Sequence, residues 1–175
     1  MIRTRLSALS LALLLVPATG CGLVGSALGG FTITVPSESM EPTIKKGATV
    51  SAHRTSDYAP RVGDIVIYRT PEGWSNTTAG DERVGRVIGL PETAVKCCDA
   101  RGRLELSGRA LDEPYLALPP ASHVKFDIQV PHDRLWIMND NRHVARDSRS
   151  YQDAPGGGTI AISDVTAVVD TPPRQ

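Results

Sequence analysis

The chain has 175 residues, 19 basic and 19 acidic, with no net charge at neutral pH. That length supports one domain after a leader, and a hydrophobic fraction of 41% supports a folded core rather than disorder. The charge balance excludes the basic excess expected of a nucleic-acid binder, and the cysteines Cys21, Cys97 and Cys98 form no zinc-type spacing.

Arg3 and Arg5 precede a continuous apolar run over residues 6–16, and no charge appears between Arg5 and Glu38. A basic start followed by an apolar stretch reads as an export signal. Three fates remain open for residues 1–30. Ala18-Thr19-Gly20-Cys21 resembles a lipoprotein cleavage box, which would leave a lipid on Cys21. The uncut segment would also be long enough to span a bilayer as an anchor. Ordinary secretory cleavage is the third. The first two hold residues 31–175 at the outer membrane surface, against lipid.

From residue 31 the pattern is β-like. Phe31-Thr32-Ile33-Thr34-Val35 alternates and is rich in β-branched side chains. Between Pro36 and Pro42 lie two serines, Ser37 and Ser39, in a turn-forming context that suits an exposed nucleophile. Residues 48–52, 65–68, 83–90 and 94–97 follow as short strands. Ser107-Gly108 predicts a hairpin between residues 103–106 and 109–111, and residues 135–138, 159–162 and 165–169 complete the set. Asn76-Thr77-Thr78 matches a glycosylation triplet, a pattern common by chance. No helical period appears after residue 30. The expected fold is mostly β, with short antiparallel strands and a smaller insert over roughly residues 97–130. Adjacent Cys97 and Cys98 are expected as free or buried thiols.

Five stretches in order resemble the boxes of bacterial type I signal peptidases, which are Ser/Lys membrane endopeptidases. They are Pro36-Ser37-Glu38-Ser39-Met40-Glu41-Pro42-Thr43, Gly63-Asp64-Ile65-Val66, Gly85-Arg86-Val87-Ile88-Gly89-Leu90-Pro91, Leu111-Asp112-Glu113-Pro114-Tyr115-Leu116, and Asp140-Asn141-Arg142 with Asp147-Ser148-Arg149. The resemblance covers roughly residues 33–169. It implies a signal peptidase I-like antiparallel β-sheet domain that removes signal peptides from exported proteins, without a cofactor or metal. Ser39 would be the nucleophile. The Ser37 hydroxyl and the Ser39 backbone N–H would form the oxyanion hole. Ile33, Val35, Pro36 and Met40 would contact the substrate, which would add as a strand beside residues 31–35 and the strand after Arg83. Asp147 and Arg149 would be a structural ion pair.

The same resemblance exposes a defect. The family carries its general base, a lysine, directly before Arg-Val-Ile-Gly-Leu-Pro; this chain has Gly85. The serine that orients that lysine is replaced by Ala145, and a glycine of the family is replaced by Asn139. Glu92-Thr93 stands where Gly-Asp is usual. Arg83 and Arg86 flank the gap but stay protonated. Lys45, Lys46, Lys96 and Lys125 match no catalytic position, nor do His53, His123 and His132. His143, two residues before Ala145, is the candidate substitute base, set against an exposed loop histidine. The alternatives are therefore an active endopeptidase with a substitute base or a partner subunit, a catalytically silent member that binds signal-peptide-like segments or scaffolds another peptidase, and an exported lipoprotein whose boxes serve only the fold.

Overall fold

The alternation at residues 31–35 folds as β1 (Gly30–Thr34), with Phe31 and Ile33 turned inward and Gly30, Thr32 and Thr34 exposed. The computed structural model describes residues 29–170, so the leader reading of residues 1–28 lies outside them. β1 is an edge strand whose register on β2 (Thr49–Arg54) runs from Gly30–His53 to Thr34–Thr49. β3 (Ile65–Arg69) places four consecutive buried residues at the middle of the sheet, as a strand covered on both faces requires. β4 (Glu82–Gly89) is exposed at its start and buried from Gly85 onward.

The small sheet follows, from β5 (Ala94–Cys97), β6 (Leu104–Leu106), β7 (Arg109–Ala110) and β8 (Phe126–Gln129). The chain then returns through β9 (Arg134–Met138), β10 (Ile160–Ala161) and β11 (Val165–Val169). The large sheet has the order β1-β2-β11-β3-β4-β9-β10, the small one β7-β6-β5-β8, and every pairing is antiparallel. The mostly β expectation and the hairpin at Ser107-Gly108 both hold. Two short 3-10 helices, Ser148–Tyr151 and Ile162–Asp164, were not anticipated; the second truncates the strand expected over residues 159–162. Among the described residues no helix is long and apolar enough to cross a membrane.

Three buried clusters hold the domain. One groups Val66, Tyr68, Trp74, Val87, Ile137 and Tyr151, with Trp74 stacked on Tyr151 at 4.2 Å between ring centroids. The second joins the two sheets through Ile88, Val95, Leu104, Phe126, Trp136 and Met138. The third, Val35, Met40, Ile44, Ile67, Ala167 and Val169, lies beneath the serine loop. One expectation is corrected: Cys97 and Cys98 form a disulfide with each other. At the end of β5 the chain turns so that both sulfurs face the Ser122 carbonyl, at 3.7 and 4.0 Å.

Candidate active site

The serine loop is fixed from both ends. Val35 exchanges backbone bonds with the next turn, its N–H donating to Ala48 (2.9 Å) and its carbonyl accepting from Gly47 (2.7 Å). Met40 is fully buried and anchors the loop from below, and Ile44 N–H closes a turn onto the Met40 carbonyl at 2.9 Å. From the other side, Asn141 N–H donates to the Ser39 carbonyl (2.9 Å) and the Asn141 amide to the Glu38 carbonyl (3.2 Å). Ser39 is thereby lifted to the surface of an otherwise buried segment, half-exposed, with its backbone N–H unbonded among the described residues.

Around this loop lies a layer of buried charge that sequence reasoning saw only in part. Asp140 accepts two bonds from Arg86, at 2.8 and 2.6 Å, and one from the Thr43 hydroxyl at 2.5 Å. The same guanidinium donates to the Gly63 carbonyl and lies 3.9 Å over the Tyr115 ring. Arg86 thus ties the serine loop, β4, Asp140 and the β7–β8 connection at one point. Arg142 pairs with Glu113 at 2.5 Å and also donates to the Ala121 and Asn139 carbonyls. Asp147 and Arg149 form a two-pronged pair at 2.8 Å for each bond, both residues buried, and Asp147 also accepts from the Asn139 backbone N–H. A surface pair would contribute little; this one is desolvated and hydrogen-bonded at both ends. Arg86 and Arg142 were missed as structural cations because their partners lie 54 and 29 residues away, a separation that only the sheet order closes.

The Ser39 oxygen has two partners among the described residues. The Ser37 hydroxyl is 3.0 Å away, and the Asn139 amide nitrogen donates to it at 3.0 Å. The same nitrogen donates to the Val84 carbonyl at 2.9 Å. A carbonyl only accepts, so this bond fixes which end of the Asn139 amide faces Ser39.

Gly85 explains why Asn139 fits there. A Cβ on Gly85 would come within 2.5 Å of Ile137 Cγ2, 3.2 Å of Asn139 Oδ1 and 3.3 Å of Tyr68 Cε1. The volume that a longer residue at 85 would need is filled by three neighbours, two of which, Ile137 and Tyr68, are core side chains at most 1% exposed. Tyr68 supplies no base, because burial pushes its phenol pKa above the ordinary value and keeps it protonated.

A cleft of about 380 Å³ opens over this group. Its lining includes Val35, Pro36, Ser37, Ser39, Arg83, Val84, Asn139, Ala145 and Arg146. One wall has an open backbone edge: β4 pairs with β9 only from Arg86 onward, leaving residues 82–85 unpaired with β9. Of the expected substrate contacts, Val35 and Pro36 line the cleft, whereas Ile33 and Met40 belong to the cluster beneath it. Ala145 lies in the lining; His143 does not. The His143 ring is exposed, and its Nδ1 faces Nε2 of His123 at 3.2 Å, so the geometry does not join it to Ser39. Among the described residues no three His, Cys, Asp or Glu side chains are grouped as metal ligands.

A model of the signal peptidase family, peptidase S26, matches residues 8–172. The chain belongs to that family. It is 31% identical over 123 residues to probable signal peptidase I-2 of Synechocystis sp., covering 69% of this chain and 55% of that protein. To signal peptidase I of Mycobacterium tuberculosis it is 29% identical over 178 residues, covering 75% of this chain and 60% of the relative. The chain thus spans 55% to 60% of the length of these curated relatives. The crystal structure of a signal peptidase I from Enterococcus faecalis matches with a TM-score of 0.50 at 24% identity, over 66% of this chain and all of that one. That likeness carries the fold, and it places this signal peptidase-family chain among the mostly antiparallel β domains of its relatives.

Proposed function

We propose that this chain is a signal peptidase I-type domain that receives signal-peptide-like segments of exported proteins in the Ser39 cleft and holds them without cutting. The observation that supports this reading is the surroundings of the Ser39 oxygen. Its partners are a hydroxyl and an amide nitrogen, and an amide nitrogen does not take up a proton. A serine hydroxyl needs a base to become a nucleophile at neutral pH, and a missing general base lowers the rate by about 10²–10⁴-fold. Gly85 and Ala145 carry neither the lysine nor the serine that the family resemblance puts there. His143, turned toward His123, is not assigned as a substitute.

The binding half rests on the open edge of residues 82–85, where an extended segment adds by backbone hydrogen bonds, and on Val35 and Pro36, which give small side chains an apolar wall. The N-terminal segment would hold the domain on the outer face of the membrane, through a lipid on Cys21 or as an uncleaved anchor. A second reading is an active serine endopeptidase with a base from a partner subunit. The intact Ser37–Ser39 pair and the unbonded Ser39 N–H favour it, since they are the donors an oxyanion requires.

Incubating the purified full chain with a preprotein carrying an Ala-x-Ala site separates the two. The expected result is a retained complex and uncut preprotein, for the wild type and Ser39→Ala alike. Cutting by the wild type that Ser39→Ala abolishes would establish the endopeptidase, and failure of both proteins to retain the preprotein would overturn the reading of the cleft as a holder of intact preproteins.

A further inference from the structure

The charges of the cleft point to a more specific ligand, resting on the peptide-binding reading above. The Ser39 end of the cleft is built of donors. Ser37 and Ser39 present hydroxyls, and the Ser39 N–H is unbonded among the described residues, while both N–H bonds of the Asn139 amide are taken by Ser39 Oγ and the Val84 carbonyl. The Val84 carbonyl beside Ser39 is occupied by Asn139. Two arginines, Arg83 and Arg146, belong to the same lining. Among the described residues neither has a carboxylate within ion-pair distance. Arg83 instead donates across the cleft to the Arg146 carbonyl at 3.1 Å, a neutral partner. The one acidic side chain in the lining, Glu82, accepts from the Thr166 hydroxyl at 2.9 Å.

A peptidase cleft must take an uncharged internal carbonyl and continue past it. This one is lined with hydroxyl donors and two arginines free of carboxylates, and Arg83 reaches from β4 to the Arg146 carbonyl. Arginine recognises carboxylate through parallel, charge-assisted bonds. We infer that the cleft binds an extended peptide ending in a free α-carboxylate, with Ala-x-Ala-like small residues before it: the chemistry of a cleaved signal peptide rather than of an intact preprotein. The carboxylate lies against the Ser37 and Ser39 hydroxyls and the Ser39 N–H, with Arg83 and Arg146 supplying the counter-charge.

The test uses the purified full chain and three ten-residue peptides labelled at the N-terminus, read by fluorescence anisotropy at pH 7.5. One ends in Ala-x-Ala with a free carboxylate, one is its C-terminal amide, and one contains Ala-x-Ala internally and continues for five residues. A hydrogen bond to a charged group contributes enough for about a ten-fold preference, so the free carboxylate binds about ten-fold more tightly than the other two. Arg146→Gln, at an exposed position, reduces that preference several-fold, and Arg83→Gln does the same from the other wall; circular dichroism melts confirm that both variants fold. Equal affinity for all three peptides overturns the carboxylate inference and leaves the peptide-binding reading standing. Binding of none overturns both. A carboxylate preference that survives in both arginine variants overturns the assignment to this cleft.

Discussion

Replacing Gly85 with alanine probes the rebuilt centre with a single methyl group. At an unstrained site, Gly→Ala stabilises by about 0.4–1 kcal/mol, because the unfolded chain loses freedom. Gly85 has no positive φ, so the backbone itself would accept alanine. The new Cβ, however, falls 2.5 Å from Ile137 Cγ2, a full ångström inside ordinary carbon contact. Ile137 is wholly buried on β9, and Tyr68, the neighbour at 3.3 Å, is buried on β3, so neither has solvent to move into. Overpacking of this kind costs about 1–3 kcal/mol, which exceeds the entropic gain. The expected net is a destabilisation of about 1–2 kcal/mol, or about 2–4 °C in melting temperature for each kcal/mol in a chain of this size. Ile137→Leu removes the β-branched methyl at nearly constant volume. The double variant is expected to be less destabilised than the sum of the singles by about 1 kcal/mol, as contacting residues allow. Urea unfolding of the four proteins measures the cycle. A neutral or stabilising Gly85→Ala would show that the space at 85 is open, and the explanation for Asn139 would fail.

Three further outcomes follow from the buried charges and phenols. Asp147→Asn keeps the shape but leaves Arg149 buried without its counter-charge, and is expected to cost about 3–5 kcal/mol in urea unfolding; a loss under 1 kcal/mol would make the pair a surface feature. Arg86→Met strands Asp140 in the same way, with a similar loss, and also releases Thr43 and the serine loop, so hydrogen exchange at residues 38–43 should rise. Tyr58, Tyr68 and Tyr115 have pKa values pushed above the ordinary value of 10, in each case chiefly by burial. Their folded-state pKa values are raised, so the unfolded chain ionises first: the stability they support is whole below pH 10 and declines as pH rises above it. Stability between pH 9 and 11 should fall less steeply in Tyr115→Phe, and an identical slope would remove Tyr115 from the account.

The strands were legible because their signal is local. Alternation at residues 31–35 and the apolar runs at 65–68 and 135–138 report burial directly, and the Ser107-Gly108 turn marks its own hairpin. β8 was not, since Phe126-Asp127-Ile128-Gln129 shows only two inward residues between polar ones. The exposed serine loop and the Asp147–Arg149 pair were readable from motif order. The role of Asn139 was not: its meaning depends on Val84 and Gly85, which lie more than fifty residues earlier and meet it only through the β4–β9 pairing. Asn139 and Ala145 share one cleft lining, and Asn139 packs beside Gly85. Gly85 carries no side chain on β4, and the Asn139 amide at the end of β9 stands beside Ser39.

The most direct test of that account restores the missing parts together. Gly85→Lys alone collides with Ile137 and Asn139, so the variant to build is Gly85→Lys, Ile137→Leu, Asn139→Gly and Ala145→Ser in one full-length chain. Mass spectrometry of an Ala-x-Ala preprotein after incubation reads the outcome. The account predicts cleavage by the quadruple variant that Ser39→Ala removes, and none by the wild type; wild-type cleavage at the same rate, equally dependent on Ser39, would contradict it.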